Sequence, residues 1–201
     1  MREFVFEDAD IRRHLAVDEA ILDMAEKGNG PLAGESLRFY EFKHPVVILG
    51  IGGMLNQEVF AERCRANNVP ILRRCSGGGA VLCASGCLGY SLVLDTKDRP
   101  EMGDLHGSYR AILKNLCESF YTSGVSVCHA GICDLTTGGL KFAGSAQKRR
   151  RRYILHHGTV LYDMDLGLVD TYLPHPPSEP DYRARRAHSD FVTNVTLGSR
   201  D

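Results

Sequence analysis

The chain has 201 residues, of which 43% are hydrophobic, and its 24 lysines and arginines nearly balance its 25 aspartates and glutamates, for a formal net charge of −1. A single domain over residues 1–201 fits this length, and the near-neutral charge gives no general attraction to nucleic acid or membrane surfaces. No apolar run approaches the roughly 18 residues that span a bilayer, and the acidic N-terminal segment is unlike a signal peptide, so we expect a cytoplasmic protein.

The first half of the chain predicts one long helix followed by short strands. Residues 11–27 carry apolar side chains at helical spacing, among them Leu15 and Leu22, and Gly28-Asn29-Gly30-Pro31 ends the pattern. A second helix is predicted over residues 56–67. Strands are predicted over residues 37–42, 46–50, 71–74, 80–83 and 89–94.

The second half predicts one more long helix, over residues 101–122, and a series of hairpin strands. The Gly138-Gly139 pair is typical of a tight turn between two of these strands. The strands are predicted over residues 125–129, 133–137, 141–147 and 153–162. Adjacent hairpins mixed with a few helices predict an α+β fold, with helices covering one side of a mostly antiparallel mixed sheet.

The seven cysteines indicate reduced thiols, because their number is odd and the chain has no secretion signal. The pairs Cys83/Cys87 and Cys128/Cys133 have spacings that zinc tolerates. Structural zinc usually binds tighter Cys-x2-Cys turns, and Cys83 and Cys87 lie in an apolar segment. We therefore favour ordinary buried cysteines over a zinc site.

A basic pair followed by three glycines forms the run Arg73-Arg74-Cys75-Ser76-Gly77-Gly78-Gly79-Ala80-Val81. Consecutive glycines let the backbone lie against a ligand, and their N–H groups can form an anion-binding concavity. A neighbouring arginine can hold a phosphate or carboxylate through two parallel bonds. Either arginine could do so, since the two point to opposite faces of a strand. The plain alternative is a glycine-rich bend with two surface arginines.

A lone lysine, Lys141, lies in an apolar setting three residues before Gly144. Such an ammonium can add a point charge where negative charge develops, and with the glycine loop it suggests an enzyme that activates a carboxylate through a phosphate ester. Asp134 could hold Mg²⁺ that bridges phosphates, or it could position Lys141. The plain alternatives are an exposed lysine and a salt-bridged aspartate at a strand start.

The pair His156-His157 precedes Gly158 and Thr159 on a predicted strand. Neighbouring strand residues face opposite sides, so at most one histidine lines a cleft, and we favour His157. No third ligand stands at metal-binding spacing. A hydrogen-bonded core histidine is the alternative.

The ordered set Arg-Arg-x-Ser-Gly-Gly-Gly-Ala-Val (73–81), Asp-Leu-x5-Lys-x2-Gly-Ser-Ala (134–146) and His-His-Gly-Thr (156–159) resembles the lipoate–protein ligase family, within the biotin/lipoate ligase and octanoyltransferase superfamily. The resemblance implies that superfamily's catalytic-domain fold. It implies formation of a lipoyl- or octanoyl-adenylate from ATP, with Mg²⁺, and transfer of the acyl group to a lysine of a lipoyl carrier domain. Such carriers belong to 2-oxoacid dehydrogenases or are the glycine cleavage H protein.

The resemblance implies that Lys141 is the family's invariant catalytic lysine, contacting the acyl carbonyl and phosphate oxygens, and it favours Arg74 over Arg73. The residues it implies for substrate and adenylate binding are Arg74, Ser76, Gly77, Gly78, Gly79, Ala80, Asp134, Gly144, Ser145, Ala146, His157, Gly158 and Thr159.

Two features depart from the family pattern. Cys133 stands where the family commonly has the asparagine of Asn-Asp-Leu, and residues 83–89 lack the polar residues of its His-Asp-x-Gly-Asn pattern. Family members often continue with further helices or an accessory domain, and we see no C-terminal accessory domain here. For the basic run 148–152 we favour a flexible loop beside the site, meeting phosphate or an acidic carrier domain, over a plain solvated loop or a nucleic-acid contact.

Two other functions stay open. An octanoyltransferase of this superfamily needs no ATP and forms a cysteine thioester, for which Cys128 or Cys133 could serve. Such transferases tend to carry arginine in place of the third loop glycine, and the intact Gly79 favours the ligase. A non-catalytic acyl-binding protein is the third possibility, and retention of Lys141 argues against it.

Overall fold

The structure is a computed structural model that describes residues 1–6, 8, 10–30 and 33–196. Pro31, which we predicted at the end of the first helix, lies outside the described residues. Helix α1 (Ile11–Lys27) begins at Asp10, whose side chain accepts a hydrogen bond from the Arg12 amide, and ends at Gly28 in the left-handed conformation. Within these ranges, no helix is long and apolar enough to cross a membrane.

The strands form two sheets. The larger has seven strands in the order β1-β2-β6-β10-β9-β8-β7, all antiparallel to their neighbours except the parallel pair β1–β2. Its strands are β1 (Arg2–Glu3), β2 (Ser36–Glu41), β6 (Cys87–Asp95), β7 (Cys128–Ala130), β8 (Asp134–Thr137), β9 (Leu140–Arg149) and β10 (Tyr153–Leu161). In the smaller sheet, β3 (Val46–Leu49) lies between the parallel β4 (Ile71–Arg73) and the antiparallel β5 (Val81–Cys83). The α+β class and the mostly antiparallel mixed sheet are confirmed.

Helices lie on both faces of the large sheet, not on one face as we predicted. Leu155 of β10 packs with Ile21 and Leu22 of α1, whereas the preceding Ile154 packs with Ile112 of α4 (Leu105–Thr122). Successive strand residues point to opposite faces, so α1 and α4 enclose the sheet between them.

The predicted helix 56–67 is divided into α2 (Leu55–Glu58) and α3 (Ala61–Ala66). Val59 adopts an extended conformation, and the Phe60 amide donates to the carbonyl of Tyr172, the last residue of helix α5 (Gly167–Tyr172). A tertiary hydrogen bond thus replaces the helical bond that local sequence favoured. Likewise α4 begins at Leu105 rather than residue 101, because the Asp104 side chain caps it through the Gly107 amide. The segment before it, Pro100–Met102, is a short 3₁₀ helix.

Candidate active site

A cleft of about 530 Å³ is lined by residues of both sheets and of the segment 176–192. It brings the glycine loop and Lys141 to the same cavity. The site residues predicted from the sequence that line it are Arg74, Gly78, Gly79, Ala80, Cys133, Asp134, Lys141, Gly144, Ser145, Ala146, His157, Gly158 and Thr159. Ser76, Gly77 and Cys128 are not among the lining residues.

Arg74 braces the glycine loop from inside. Its buried guanidinium donates to the carbonyls of Ile48 (3.1 Å), Gly77 (2.6 Å) and Gly79 (2.9 Å). Burial lowers the pKa of this guanidinium from its ordinary value. Because these bonds engage both terminal nitrogens, the side chain acts chiefly as a brace for the loop. Within the described structure, only one Nη1 N–H is left for a ligand. The prediction that Arg74 holds a ligand anion through two parallel bonds is therefore wrong.

The loop packs tightly on the chain beneath it. A Cβ added to Gly50 would lie 2.0 Å from the Gly78 carbonyl oxygen, so only glycine allows this approach. The Ala80 amide, which we predicted as an anion donor, instead donates to Glu58 Oε2 at 2.7 Å. The Ala80 amide is therefore not free for an anion, whereas Gly78 and Gly79 of the same loop line the cleft.

A buried chain of side chains ties the loop to β10 and α1. Ser76 Oγ lies 2.6 Å from His157 Nε2, and His157 Nδ1 lies 3.1 Å from Asp18 Oδ2. The Asp18 carboxylate only accepts, so His157 Nδ1 donates to it, and the Ser76 oxygen also accepts from Arg74 Nε. The order of the three residues matches a Ser-His-Asp triad. Because Ser76 is 1% exposed, this hydrogen-bonded chain of side chains positions the loop and presents no accessible nucleophile.

Asp18 also holds a buried cation, Arg38. Arg38 Nη1 donates to Asp18 Oδ1 at 2.9 Å, and both side chains are almost fully excluded from solvent. We did not predict either residue as part of the site. The available signal was two polar residues, His14 and Asp18, on the otherwise apolar buried face of α1.

His156 faces the opposite side of the sheet from the cleft. It contacts the Tyr90 hydroxyl (3.3 Å) and the Gln147 side chain (3.2 Å) and packs against Tyr109 of α4. Burial lowers the pKa of His156 to about 3, so the imidazole is neutral at physiological pH. It is a hydrogen-bonded core histidine.

Lys141 pairs with the Asp134 carboxylate, which also accepts a hydrogen bond from the Tyr182 hydroxyl. Its Nζ lies 2.7 Å from Asp134 Oδ1, and the Tyr182 hydroxyl donates to Asp134 Oδ2 at 2.7 Å. Burial raises the pKa of Tyr182 well above its ordinary value, so the phenol remains a donor. The lysine side chain passes over Gly144, where a Cβ would lie 2.9 Å from both Cε and Nζ. The ammonium thus has a fixed position and 27% side-chain exposure toward the cleft.

The two candidate nucleophilic cysteines lie in different environments. Cys133 lines the cleft, where burial and the neighbouring Asp134 raise the pKa of its thiol to about 11. Cys128 is exposed on β7, outside the lining of the cleft. The Cys133 thiol, with its pKa of about 11, is almost wholly protonated at neutral pH and is a weak nucleophile.

The donors at Asp134 do not fit a magnesium ion. Both carboxylate oxygens are already engaged, one by the Lys141 ammonium and the other by Tyr182. Within residues 1–6, 8, 10–30 and 33–196, no group of three or more His, Cys, Asp or Glu side chains could hold a metal. The structure therefore supports the alternative role of Asp134, which is to position Lys141.

The basic run 148–152 is not a free loop beside the site. It forms the turn between β9 and β10, roughly 26 Å along β9 from Lys141 at 3.3 Å per residue. Arg149 donates to the Met102 carbonyl, Arg150 pairs with Asp23, and Arg152 pairs with Asp95. The prediction was wrong because the sequence does not show which acidic groups meet these arginines.

Comparison with known proteins identifies the family of this chain. The model of the lipoyl protein ligase A/B catalytic domain matches residues 10–198. Octanoyltransferase LipM of Brevibacillus brevis is 30% identical over 89% of this chain and 71% of its own length, and LipM of Oceanobacillus iheyensis is 26% identical over 95% and 75%. The chain belongs to the lipoate ligase and octanoyltransferase family, which confirms the resemblance seen in its motifs.

Among solved structures, similar chains are described as lipoate ligases. A bi-partite lipoate protein ligase of Thermoplasma acidophilum, studied with its E2 lipoyl domain, is 27% identical with a TM-score of 0.81, over 96% of this chain and 74% of that chain. A lipoate-protein ligase A bound with ATP is 27% identical with a TM-score of 0.76, over 98% and 78%. The relatives thus include proteins named for both reactions of the family.

Proposed function

We propose that this chain is an ATP-dependent lipoate–protein ligase. It would form a lipoyl- or octanoyl-adenylate and transfer the acyl group to a lysine of a lipoyl carrier domain. The observation that carries the proposal is the position of the Lys141 ammonium, held by Asp134 in a cleft that the glycine loop also lines. A positive group and backbone donors are what two anions need when they must react with each other.

In the first step a carboxylate oxygen of the fatty acid attacks the α-phosphorus of ATP, and pyrophosphate leaves. Lys141 would offset the charge on the reacting oxygens, and its fixed position lowers the entropy cost of aligning them. Amides of Gly78 and Gly79 lie on the same cleft. In the second step a carrier lysine amine attacks the acyl carbonyl, AMP leaves, and Lys141 would polarise that carbonyl.

The apolar part of the cleft supports a fatty acyl substrate. Its lining includes Phe42, Leu161, Met164, Val169 and Leu173. Buried apolar surface of this kind favours an alkyl chain by about 0.8 kcal/mol per methylene removed from water. Either octanoate or lipoate satisfies this chemistry.

The carrier partner is proposed from the neighbouring structure. The Thermoplasma ligase is described as bi-partite and with its E2 lipoyl domain. By analogy, this chain would act on a lipoyl domain of a 2-oxoacid dehydrogenase or on the glycine cleavage H protein. Because the Thermoplasma ligase is bi-partite, a second protein chain is a natural addition to an activity assay.

The second candidate function is the ATP-independent octanoyltransferase, which the LipM relatives favour. Two observations weigh against it. The Cys133 thiol has a pKa of about 11, and Cys128 lies outside the cleft lining. A thioester mechanism needs a thiolate at the site.

Two parallel assays separate the functions. One supplies ATP, octanoate and a lipoyl domain, and the other supplies octanoyl–acyl carrier protein without ATP; mass spectrometry of the lipoyl domain detects acylation in each. The ligase proposal predicts product in the first assay, loss of product when ATP is omitted, and AMP formation equal to the acyl groups transferred. Product only in the second assay, abolished by Cys133→Ser or Cys128→Ser, would show a transferase.

A further inference from the structure

Arg183 is a buried arginine that faces the cleft with unused hydrogen-bonding capacity. It ends the 3₁₀ helix Asp181–Arg183, lines the cleft and is 5% exposed. Its Nε donates to the Arg186 carbonyl at 3.0 Å. Its Nη2 has no hydrogen-bond partner among the residues that the structure describes. A buried donor of a charged group without a partner is costly and points to a partner outside the chain.

The groups around Arg183 engage its Nε edge and one face of its guanidinium. Glu179 Oε2 lies 3.4 Å from Nε, and the same carboxylate oxygen lies 2.9 Å from His175 Nε2. The Phe191 ring covers one face, with its centroid 4.7 Å from Cζ. The carboxylate therefore meets the Nε edge, and the buried Nη2 is left without a partner among the described residues.

Arg186 provides a contrast within the same segment. It donates from Nε to the Arg183 carbonyl, reciprocating the bond that Arg183 makes, and from Nη2 to the Tyr182 carbonyl. It also lies over the Phe191 ring, at 5.2 Å, but it is not among the cleft lining. The two arginines thus share a local structural role, and of the pair Arg183 alone both lines the cleft and has a donor without a partner among the described residues.

The segment that carries Arg183 is fixed to Lys141. Tyr182 bonds the carboxylate that holds the lysine, and the Lys141 amide donates to the Phe191 carbonyl at 2.8 Å. We propose that Arg183 is a further cation of the cleft, in addition to Lys141 and Arg74, and binds an oxyanion of the substrates, either the fatty-acid carboxylate or a phosphate group of the nucleotide. This assignment rests on the proposed function for the identity of its ligands. Arginine suits both groups because its planar fork matches their oxygens.

Isothermal titration of the full chain tests the proposal with three probes: octanoate, octan-1-ol and ATP. Arg183→Met removes the charge and keeps much of the volume, Arg183→Lys keeps the charge, and Arg186→Met is the matched control. We expect Arg183→Met to weaken the binding of one anion, octanoate or ATP, at least tenfold and to leave the binding of octan-1-ol unchanged. Loss confined to octanoate identifies the carboxylate, and loss confined to ATP identifies the phosphate. Arg183→Lys should recover part of the affinity.

Several results would overturn the assignment. Wild-type affinity of Arg183→Met for both anions, or an equal loss of affinity in Arg186→Met, would reduce Arg183 to a structural residue. A wild-type chain that binds neither anion would also remove the site. Wild-type binding of octanoate without ATP would instead refute the ligase proposal, while the octanoate titrations would still decide the role of Arg183.

Discussion

Two buried carboxylates, Asp18 and Asp134, each hold a cation beside the same cleft. The Asp18–Arg38 pair is dry on both sides, and its second oxygen is used by His157. The Asp134–Lys141 pair is equally short, but its lysine is open to the cavity. The comparison suggests a division of roles: we expect the enclosed pair to fix the fold, and the pair that borders the cleft to prepare a reacting charge.

The largest effect is expected from breaking the dry pair. Asp18→Asn removes the charge that compensates Arg38 and should lower the free energy of unfolding by about 3–5 kcal/mol, because a buried guanidinium is left unpaired. Urea denaturation measures this loss. Asp23→Asn, on the same helix, breaks a partly exposed pair with Arg150 and should cost no more than about 1 kcal/mol. Equal losses in the two variants would refute the contrast.

Breaking the open pair should reduce activity more than stability. Lys141→Ala is expected to slow adenylate formation by about 10²–10³-fold, the usual effect of losing a group that stabilises developing charge. It should destabilise less than Asp18→Asn, since water reaches the cleft and Tyr182 still donates to Asp134. Pyrophosphate exchange into ATP measures the rate. Lys148→Ala, on the same strand outside the cleft lining, is the control, and a similar rate in both variants would remove the role of Lys141.

A smaller effect on activity is expected from Gly144→Ala, which displaces Lys141 without removing it. In Gly144→Ala the new Cβ meets Lys141 Cε and Nζ at 2.9 Å, so the flexible lysine must move away from its position. We expect about a tenfold fall in adenylate formation, consistent with the sensitivity of catalysis to small displacements, with little change in melting temperature. Gly52→Ala, where a Cβ has no atom within 4 Å, should retain full activity. An unaltered rate in Gly144→Ala would mean that the lysine need not be so precisely held.

The smallest effect is expected at Cys133, which neighbours the Asp134–Lys141 pair. Because burial raises the pKa of Cys133 to about 11, only about one thiol in a thousand is ionised at pH 8. Cys133→Ser should therefore leave ATP-dependent acylation unchanged from pH 7 to pH 9. A wild-type rate that climbs tenfold per pH unit over this range, and a serine variant that loses it, would instead show a thiolate mechanism.

The fold class could be predicted because hairpin signals and helical periodicity are local. The division of the helix at Val59 and the placement of α1 and α4 on opposite faces could not, since each depends on a tertiary contact. In the site, Lys141 and the glycine loop were recognisable from motifs that the family shares. Arg74 was assigned to a ligand, whereas its guanidinium spends its donors on the loop's own carbonyls.

The residues that sequence analysis missed lie in positions where no local pattern marks them. Tyr182 and Arg183 follow the last predicted strand, in a segment whose place beside Lys141 only the folded chain reveals. The basic run 148–152 misled for the opposite reason, because its charges are prominent in sequence, whereas in space Arg150 and Arg152 are already paired with acidic groups. Which donors are already bonded is a property of the fold and cannot be counted from residue types.

The chain segment Phe191–Val195 pairs with the start of β9 at Lys141, beyond the point where the pairing of β9 with β10 stops. The Lys141 amide donates to the Phe191 carbonyl, Thr193 donates back to the Lys141 carbonyl, and the Val195 amide bonds the Leu161 carbonyl. These residues lie some fifty positions after Lys141 in the sequence. The backbone amide and carbonyl of Lys141 thus depend on partners from a distant part of the chain, and a variant that lacks this segment would leave both groups without them.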